Sequence, residues 1–213
     1  MRQPTFLLKP SAYKANKLYS ILPDDGGGDF TVSSYVGNGT RVNSDGLIET
    51  VASDTPRLDY LNGCGLLLEP TRTNLMTYTA ASTGWSTTGQ LTANDTIAPD
   101  GTKTATRHED NDAASAEPST KSVTISASTQ YTFSIFIKFG TTDRVNLALS
   151  TTAGTAASTT HFLDSDGSWT VNTDPSAIID SSGSTYYGDG WYRFYATFTS
   201  LVGNTGLTLT LTP

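Results

Sequence analysis

The side chains able to carry chemistry are few: two histidines, one cysteine, 20 acids and 13 bases in 213 residues. His108 lies in the acidic run Arg107-His108-Glu109-Asp110-Asn111-Asp112, where a general base or metal ligand could sit, although such a run reads more simply as a solvated strand end. His161 precedes Phe162 in a strand-like stretch, and pairing or a surface position is expected for it. Cys64 stands in the turn-like Asn62-Gly63-Cys64-Gly65 with no histidine near it in sequence, so a small buried or partly buried residue is expected rather than a nucleophile. A single cysteine also excludes an intrachain disulfide and a cysteine-built zinc site. Glycoside hydrolysis needs two carboxyl groups facing each other across roughly 5 to 9.5 Å. Glu49, Asp54, Asp59, Glu69, Glu109 and Glu117 are available, but none carries a local signature. The sequence has no phosphate loop ending in Gly-Lys-Ser/Thr, no serine nucleophile elbow and no His-Glu-x-x-His. No catalytic residue is expected, and the chain is read as a non-enzyme. Asp164 and Asp166 could contribute to a structural calcium site, yet the further ligands and terminal Glu of an EF-hand loop are missing. No cofactor is expected, a calcium held largely by backbone carbonyls being the one exception left open. The positive signal is aromatic. Trp85, Trp169, Tyr187 and Trp191, with Tyr186, could stack on the C–H face of a sugar ring, in competition with ordinary core packing of the indoles.

Strands must position these groups. Charged residues make up 15% of the chain and hydrophobic residues 36%, and the difference from an average protein is filled by Ser, Thr and Gly. Thr suits a pleated, half-exposed surface, and Gly and Ser suit the turns between strands. Aromatics at 10% supply enough large side chains to close a core. The net charge of −7 repels phosphate backbones and anionic lipid, and the short basic group Lys9, Lys14 and Lys17 has no basic face to join, so neither nucleic acid nor membrane is an expected partner. No apolar stretch of about 18 residues exists to span a bilayer, and Phe6-Leu7-Leu8 is too short for a secretory core, so a soluble protein without an export signal is expected.

Along the chain the pattern changes near residue 80. Before it, Pro23-Asp24-Asp25-Gly26-Gly27-Gly28-Asp29, Gly37-Asn38-Gly39, Asn43-Ser44-Asp45-Gly46 and Asn62-Gly63-Cys64-Gly65 mark turns between short strands over Phe30 to Val36, Leu47 to Val51 and Leu66 to Glu69. Ser11 to Leu22, with apolar residues at mixed three- and four-residue spacings, is the one stretch that predicts a short helix. After residue 80, strands are predicted over Ser122–Ile125, Gln130–Phe139, Arg144–Ser150, Thr160–Leu163, Ser168–Val171, Trp191–Ser200 and Gly206–Thr212, with an eighth near Trp85 to Leu91. In Tyr131 to Phe139 every second residue is apolar, and Leu207 to Thr212 alternates without exception. Trp191 to Thr199 places Tyr192, Phe194, Ala196 and Phe198 on one side and Trp191, Arg193, Tyr195 and Thr197 on the other. The expected fold is all-β: an antiparallel jelly-roll sandwich over residues 80–213, preceded by an irregular segment, 1–79, of short strands.

Two blocks resemble a known family. Lys17 to Pro23, Gly28 to Val32, Thr40 to Glu49, Pro56 to Tyr60 and Leu66 to Leu75 are similar to the N-terminal segment of accessory virion proteins of tailed bacteriophages: head fibre, capsid decoration or minor tail proteins. Pro99-Asp100-Gly101, Tyr131 to Ser134, Phe162-Leu163-Asp164 and Gly190 to Arg193 resemble the carbohydrate-binding-module type of jelly roll that follows in them. The resemblance implies a structural protein on the exterior of a phage particle, made in the host cytoplasm and assembled as a homotrimer. It implies contact with the major capsid protein or another virion protein, a capsid-surface position more than a tail tip, and a host surface glycan as an alternative partner. On physical grounds the first 79 residues are too short and glycine-interrupted to bury much apolar surface alone. Leu47, Ile48, Leu66, Leu67 and Leu68, with Arg57 and Arg72, are therefore the expected oligomer and attachment interface, with Arg41, Arg57 and Arg72 as natural partners of Asp45, Asp59 and Glu69 or of a neighbouring chain.

Overall fold

Hydroxyl-rich alternation leaves each strand one apolar face to bury, and sheets are how such faces find each other. A computed structural model describes residues 7–14, 16–33, 39–70, 72–76, 83–152, 158–174 and 178–213, and contains strands but no helix among them. The chain divides into two compact units, Met1–Thr73 and Asn74–Pro213.

The first unit is a set of ribbons. β1 (Leu7–Lys14), β2 (Lys17–Leu22) and β3 (Phe30–Thr31) form one antiparallel sheet, β4 (Gly39–Val42) pairs with β5 (Ile48–Val51), and β6 (Leu58–Asp59) pairs with β7 (Gly65–Leu66). The short helix expected over Ser11 to Leu22 is corrected here to the β1–β2 hairpin. Asn16 takes the left-handed φ of 60°, which no helix interior accepts, and the chain reverses so that Lys14 lies opposite Lys17 and Tyr13 opposite Leu18. The strand expected over Phe30 to Val36 stops at Thr31, and positions 34–38 lie outside the described residues. Asp29 pins this sheet: its carboxylate accepts the Ser20 amide at 2.9 Å and pairs with Lys17 Nζ at 2.9 Å. Leu18, Val42, Val51, Pro56 and Leu58 are buried, a small interior spread over three ribbons.

The second unit is a two-layer sandwich. Its strands are β8 (Ser86–Thr87), β9 (Gln90–Thr96), β10 (Ala105–Glu109), β11 (Ser119–Thr124), β12 (Gln130–Lys138), β13 (Arg144–Thr152), β14 (Ser158–Asp164), β15 (Trp169–Thr173), β16 (Ile179–Tyr186), β17 (Trp191–Thr199) and β18 (Gly206–Thr212). Six strands form one sheet in the order β15-β14-β13-β18-β11-β8, three form another in the order β12-β17-β16, and β9 and β10 make a separate hairpin. Phe133, Ile137, Phe194, Ala196 and Phe198 from the smaller sheet pack with Val145, Leu147, Leu149, Leu163, Leu207 and Leu209 from the larger one into a single core. Those from β12, β17 and β18 are among the alternate residues that the sequence pattern picks out. Met76 and Trp85 also pack against this core, which draws residues ahead of position 80 into the second unit.

Three strands of this unit carry no apolar alternation and are not predicted from sequence: β9, β10 and β16. β16 reads Ile-Asp-Ser-Ser-Gly-Ser-Thr-Tyr, the composition of a loop, and becomes a strand because β17 offers it a ladder from Ile179 opposite Phe198 to Tyr186 opposite Tyr192, with one register shift between Ile179 and Ser181. The turn at Ala98 to Gly101 closes through Gly101 N–H to the Ala98 carbonyl at 2.9 Å, and that at Asp164 to Gly167 through Gly167 N–H to the Asp164 carbonyl at 2.9 Å.

Candidate functional site

In the first unit the expected interface residues fall into two groups. Leu47 and Leu68 are exposed, Leu68 to 81%, while Ile48, Leu66 and Leu67 are half-buried. Asn43 positions Leu47 by accepting its amide on Oδ1 at 3.0 Å, within a turn that Gly46 completes. Of the arginines, Arg57 Nη1 pairs with Glu69 at 2.7 Å and also reaches the Thr40 carbonyl at 3.3 Å. Arg41 Nε pairs with Glu49 at 2.6 Å rather than with Asp45, which holds the Glu49 carboxyl below its usual range. Among the described residues Asp59 takes no arginine; it accepts the Val42 and Leu61 amides at 2.8 and 3.0 Å, tying the β4 ribbon to the β6 ribbon. Arg72 is exposed and makes no ion pair among the described residues.

In the second unit Trp85 and Trp169 pack against the sandwich core and Trp191, on the Arg193 side of β17, is covered by the Ile97 segment, so the expected stacking platform of Trp85, Trp169, Tyr187 and Trp191 is corrected. Trp191 is 9% exposed and donates its indole N–H to the Ile97 carbonyl at 3.0 Å. Trp169 packs against the core with its ring 5.0 Å from His161 and 6.2 Å from Phe194, and Trp85 packs against the same core. Indoles are the largest apolar surfaces available, and the chain covers each of them, two against the sandwich core and one beneath the Ile97 segment.

Tyr186 is exposed to 54% and Tyr187 is half-buried, and the structure surrounds Tyr187 with residues that the sequence did not single out as a site. The outer face of β12-β17-β16 presents Phe136, Arg193, Tyr195 and Lys138 together with Tyr187. Phe136 and Tyr187 meet edge to face at 5.0 Å. Arg193, opposite Phe136 in the ladder, donates from Nη2 to Ser134 Oγ at 3.1 Å. Tyr195 lies across Gly183, where a Cβ would come within 2.9 Å of the tyrosine oxygen, so glycine here lets the ring rest on the sheet. A usable signal was present in the sequence: Phe136 is the one large apolar residue among the otherwise polar alternates Thr132, Ser134 and Lys138. Which residues share the face with it is a matter of register, which only pairing supplies.

The groups considered for catalysis are occupied by their own neighbours. Glu109 pairs with Arg107 at 2.6 Å, Glu117 accepts the Asn111 amide at 2.7 Å, and Asp164 pairs with Arg144 at 2.5 Å. Asp166 caps its own turn by accepting the Ser168 amide at 2.8 Å. His108 Nε2 lies 2.9 Å from the Glu117 carbonyl. His161 is fully buried in the sandwich rather than at the surface, with Nε2 2.8 Å from Thr159 Oγ1, and burial pushes both imidazoles below their ordinary pKa. Cys64 is exposed rather than buried or partly buried. Two open recesses, one lined by Asp110 to Ala116 and one by Asp143, Arg144, Asp164, Ser165, Asp166 and Ser168, bring together no nucleophile and base. Among the described residues no three metal-ligating side chains converge. No protein-family model matches the chain, and no curated protein matches it either.

Proposed function

We propose that this chain is a non-enzymatic structural protein on the exterior of a bacteriophage particle, a head fibre or capsid decoration protein. Its first 79 residues bind the shell or another virion protein and associate as a homotrimer, and residues 80–213 are displayed as a jelly-roll sandwich. The family reading rests on the resemblance of residues 17–75 to the N-terminal segments of such proteins. The observation that carries the attachment role is the unburied apolar surface of the first unit. In the sheet β1-β2-β3 only Leu18 is buried among the described side chains, while Leu7, Tyr19, Ile21, Leu22 and Phe30 are exposed, Phe30 to 50%. Isolated large apolar residues are ordinary on surfaces, but a short sheet that exposes this many lacks a covering layer. Covering one Leu or Ile fully contributes roughly 1.5 to 3 kcal/mol, so a few such residues per chain drive association. Light scattering on the purified full chain tests this. A particle of three times the chain mass is expected, and a monodisperse monomer at tens of micromolar overturns it.

A second reading has its own support. The sheet face of Phe136, Tyr187, Tyr195 and Arg193 combines ring surfaces with a polar fork, the composition of a surface that holds a sugar chain. On this reading the displayed domain attaches the particle to a host glycan. A glycan array probed with the full chain tests it, and an array without hits sinks it.

A further inference from the structure

The face just described holds two cations, Arg193 and Lys138. Both are exposed on the outer side of the β12-β17-β16 sheet, and among the described residues of this unit neither forms an ion pair. The chain as a whole carries a net charge of −7. Acids are therefore plentiful, and none of those described is paired with either cation. Asp180, the acid at the far end of the face, is occupied by Gln130 Nε2 at 2.9 Å and Thr199 Oγ1 at 2.8 Å. Asp189, which sits in the Gly188–Gly190 turn just before Trp191, bridges to neither cation.

Resting on the glycan-binding reading above, the geometry points to a carboxylated polysaccharide, a polyuronate, as the occupant of this face. Arg193 is held by Ser134 at one Nη, which orients the guanidinium over the sheet. A planar guanidinium fork matches a planar carboxylate, and Ser134 fixes it before the ligand arrives. Phe136 stands opposite Arg193, and Lys138 lies two residues further along the same strand face, about 7 Å away. A polymer with an acid on each ring thus meets a cation at two successive places while its pyranose faces rest on Phe136, Tyr187 and Tyr195. A neutral glycan would leave both cations unused. An acidic peptide would leave the rings without flat partners.

Affinity electrophoresis of the full chain in gels containing polygalacturonate, dextran, dextran sulfate or polyglutamate tests this. Retardation by polygalacturonate alone is expected, weakened by salt, and the paired substitution Arg193→Gln with Lys138→Gln reduces it at least tenfold without changing the unfolding temperature. If R193Q lowers that temperature, Lys138→Glu, at an exposed strand end, gives the same comparison. Equal retardation by dextran overturns the carboxylate assignment and leaves glycan binding standing. Equal retardation by dextran sulfate or polyglutamate shows charge alone and overturns it as well. Retardation by none of the four overturns the polyuronate assignment, and the glycan array decides the broader glycan-binding reading separately.

Discussion

Individual ionisable side chains set the response of this protein to acid. His161 is sealed in the sandwich and His108 is half-buried, and desolvation disfavours the charged form of each. The folded pKa values lie below the unfolded value of about 6.5, so the unfolded state binds more protons on acidification. The stabilising contribution is fully present above about pH 6.5 and declines as pH falls toward the folded values. Thermal melts of the chain are expected to shift downward between pH 7 and 5, and the double variant His161→Phe with His108→Gln to lose that shift. A melt independent of pH in the parent protein over this range contradicts the sealed imidazole. Asp29 acts further down. The Ser20 amide and Lys17 hold its carboxyl below the ordinary range, so its contribution is present above about pH 4 and is lost as pH falls through the folded value. Asp29→Asn is expected to loosen the β1-β2-β3 sheet at neutral pH, read as faster amide exchange at Ser20, and to leave the sandwich amides unchanged.

Strands and ribbons differ in how much they bury. Leu147 is fully enclosed at the centre of β13, opposite His161 on one side and Leu211 on the other. Leu147→Ala removes packed atoms from both layers and is expected to cost about 2 to 5 kcal/mol, seen as a lower urea midpoint at unchanged slope. Leu68→Ser, at a position 81% exposed, is expected to change the same midpoint by less than about 0.5 kcal/mol while weakening self-association. Opposite behaviour of the two variants would place the apolar interior in the wrong unit. The turn between β14 and β15 depends on Gly167, whose φ of +85° suits glycine and whose missing side chain admits the Tyr192 ring.

For the molecule as a whole, the two units are expected to separate in experiment. Residues 74–213 expressed alone retain a complete core and should give a cooperative, monomeric β protein, whereas the full chain should be trimeric; a trimer of the shorter piece would move the association surface to the sandwich. Much of the sandwich was legible beforehand, because strict alternation such as Leu207 to Thr212 has one solution: large residues to one face, hydroxyls to the other. Gly206–Thr212 is a strand over the residues that the alternation marks, and β12, β13, β14, β15 and β17 fall within two residues of their expected bounds at each end. The strands that escaped detection, β9, β10 and β16, owe their conformation to a neighbour's ladder rather than to their own side chains. The helix expected over Ser11 to Leu22 failed because spacing in a short segment is ambiguous, and one left-handed Asn16 reverses the chain. The indoles illustrate the same limit, since a tryptophan's type states how much apolar surface must be covered but not by what. Composition and alternation, being local, determined strand content, polarity and the absence of familiar catalytic motifs. Which rings end in the core, and which cations share a face with Phe136, was decided only by tertiary pairing, because register and layer contacts join residues far apart in the chain.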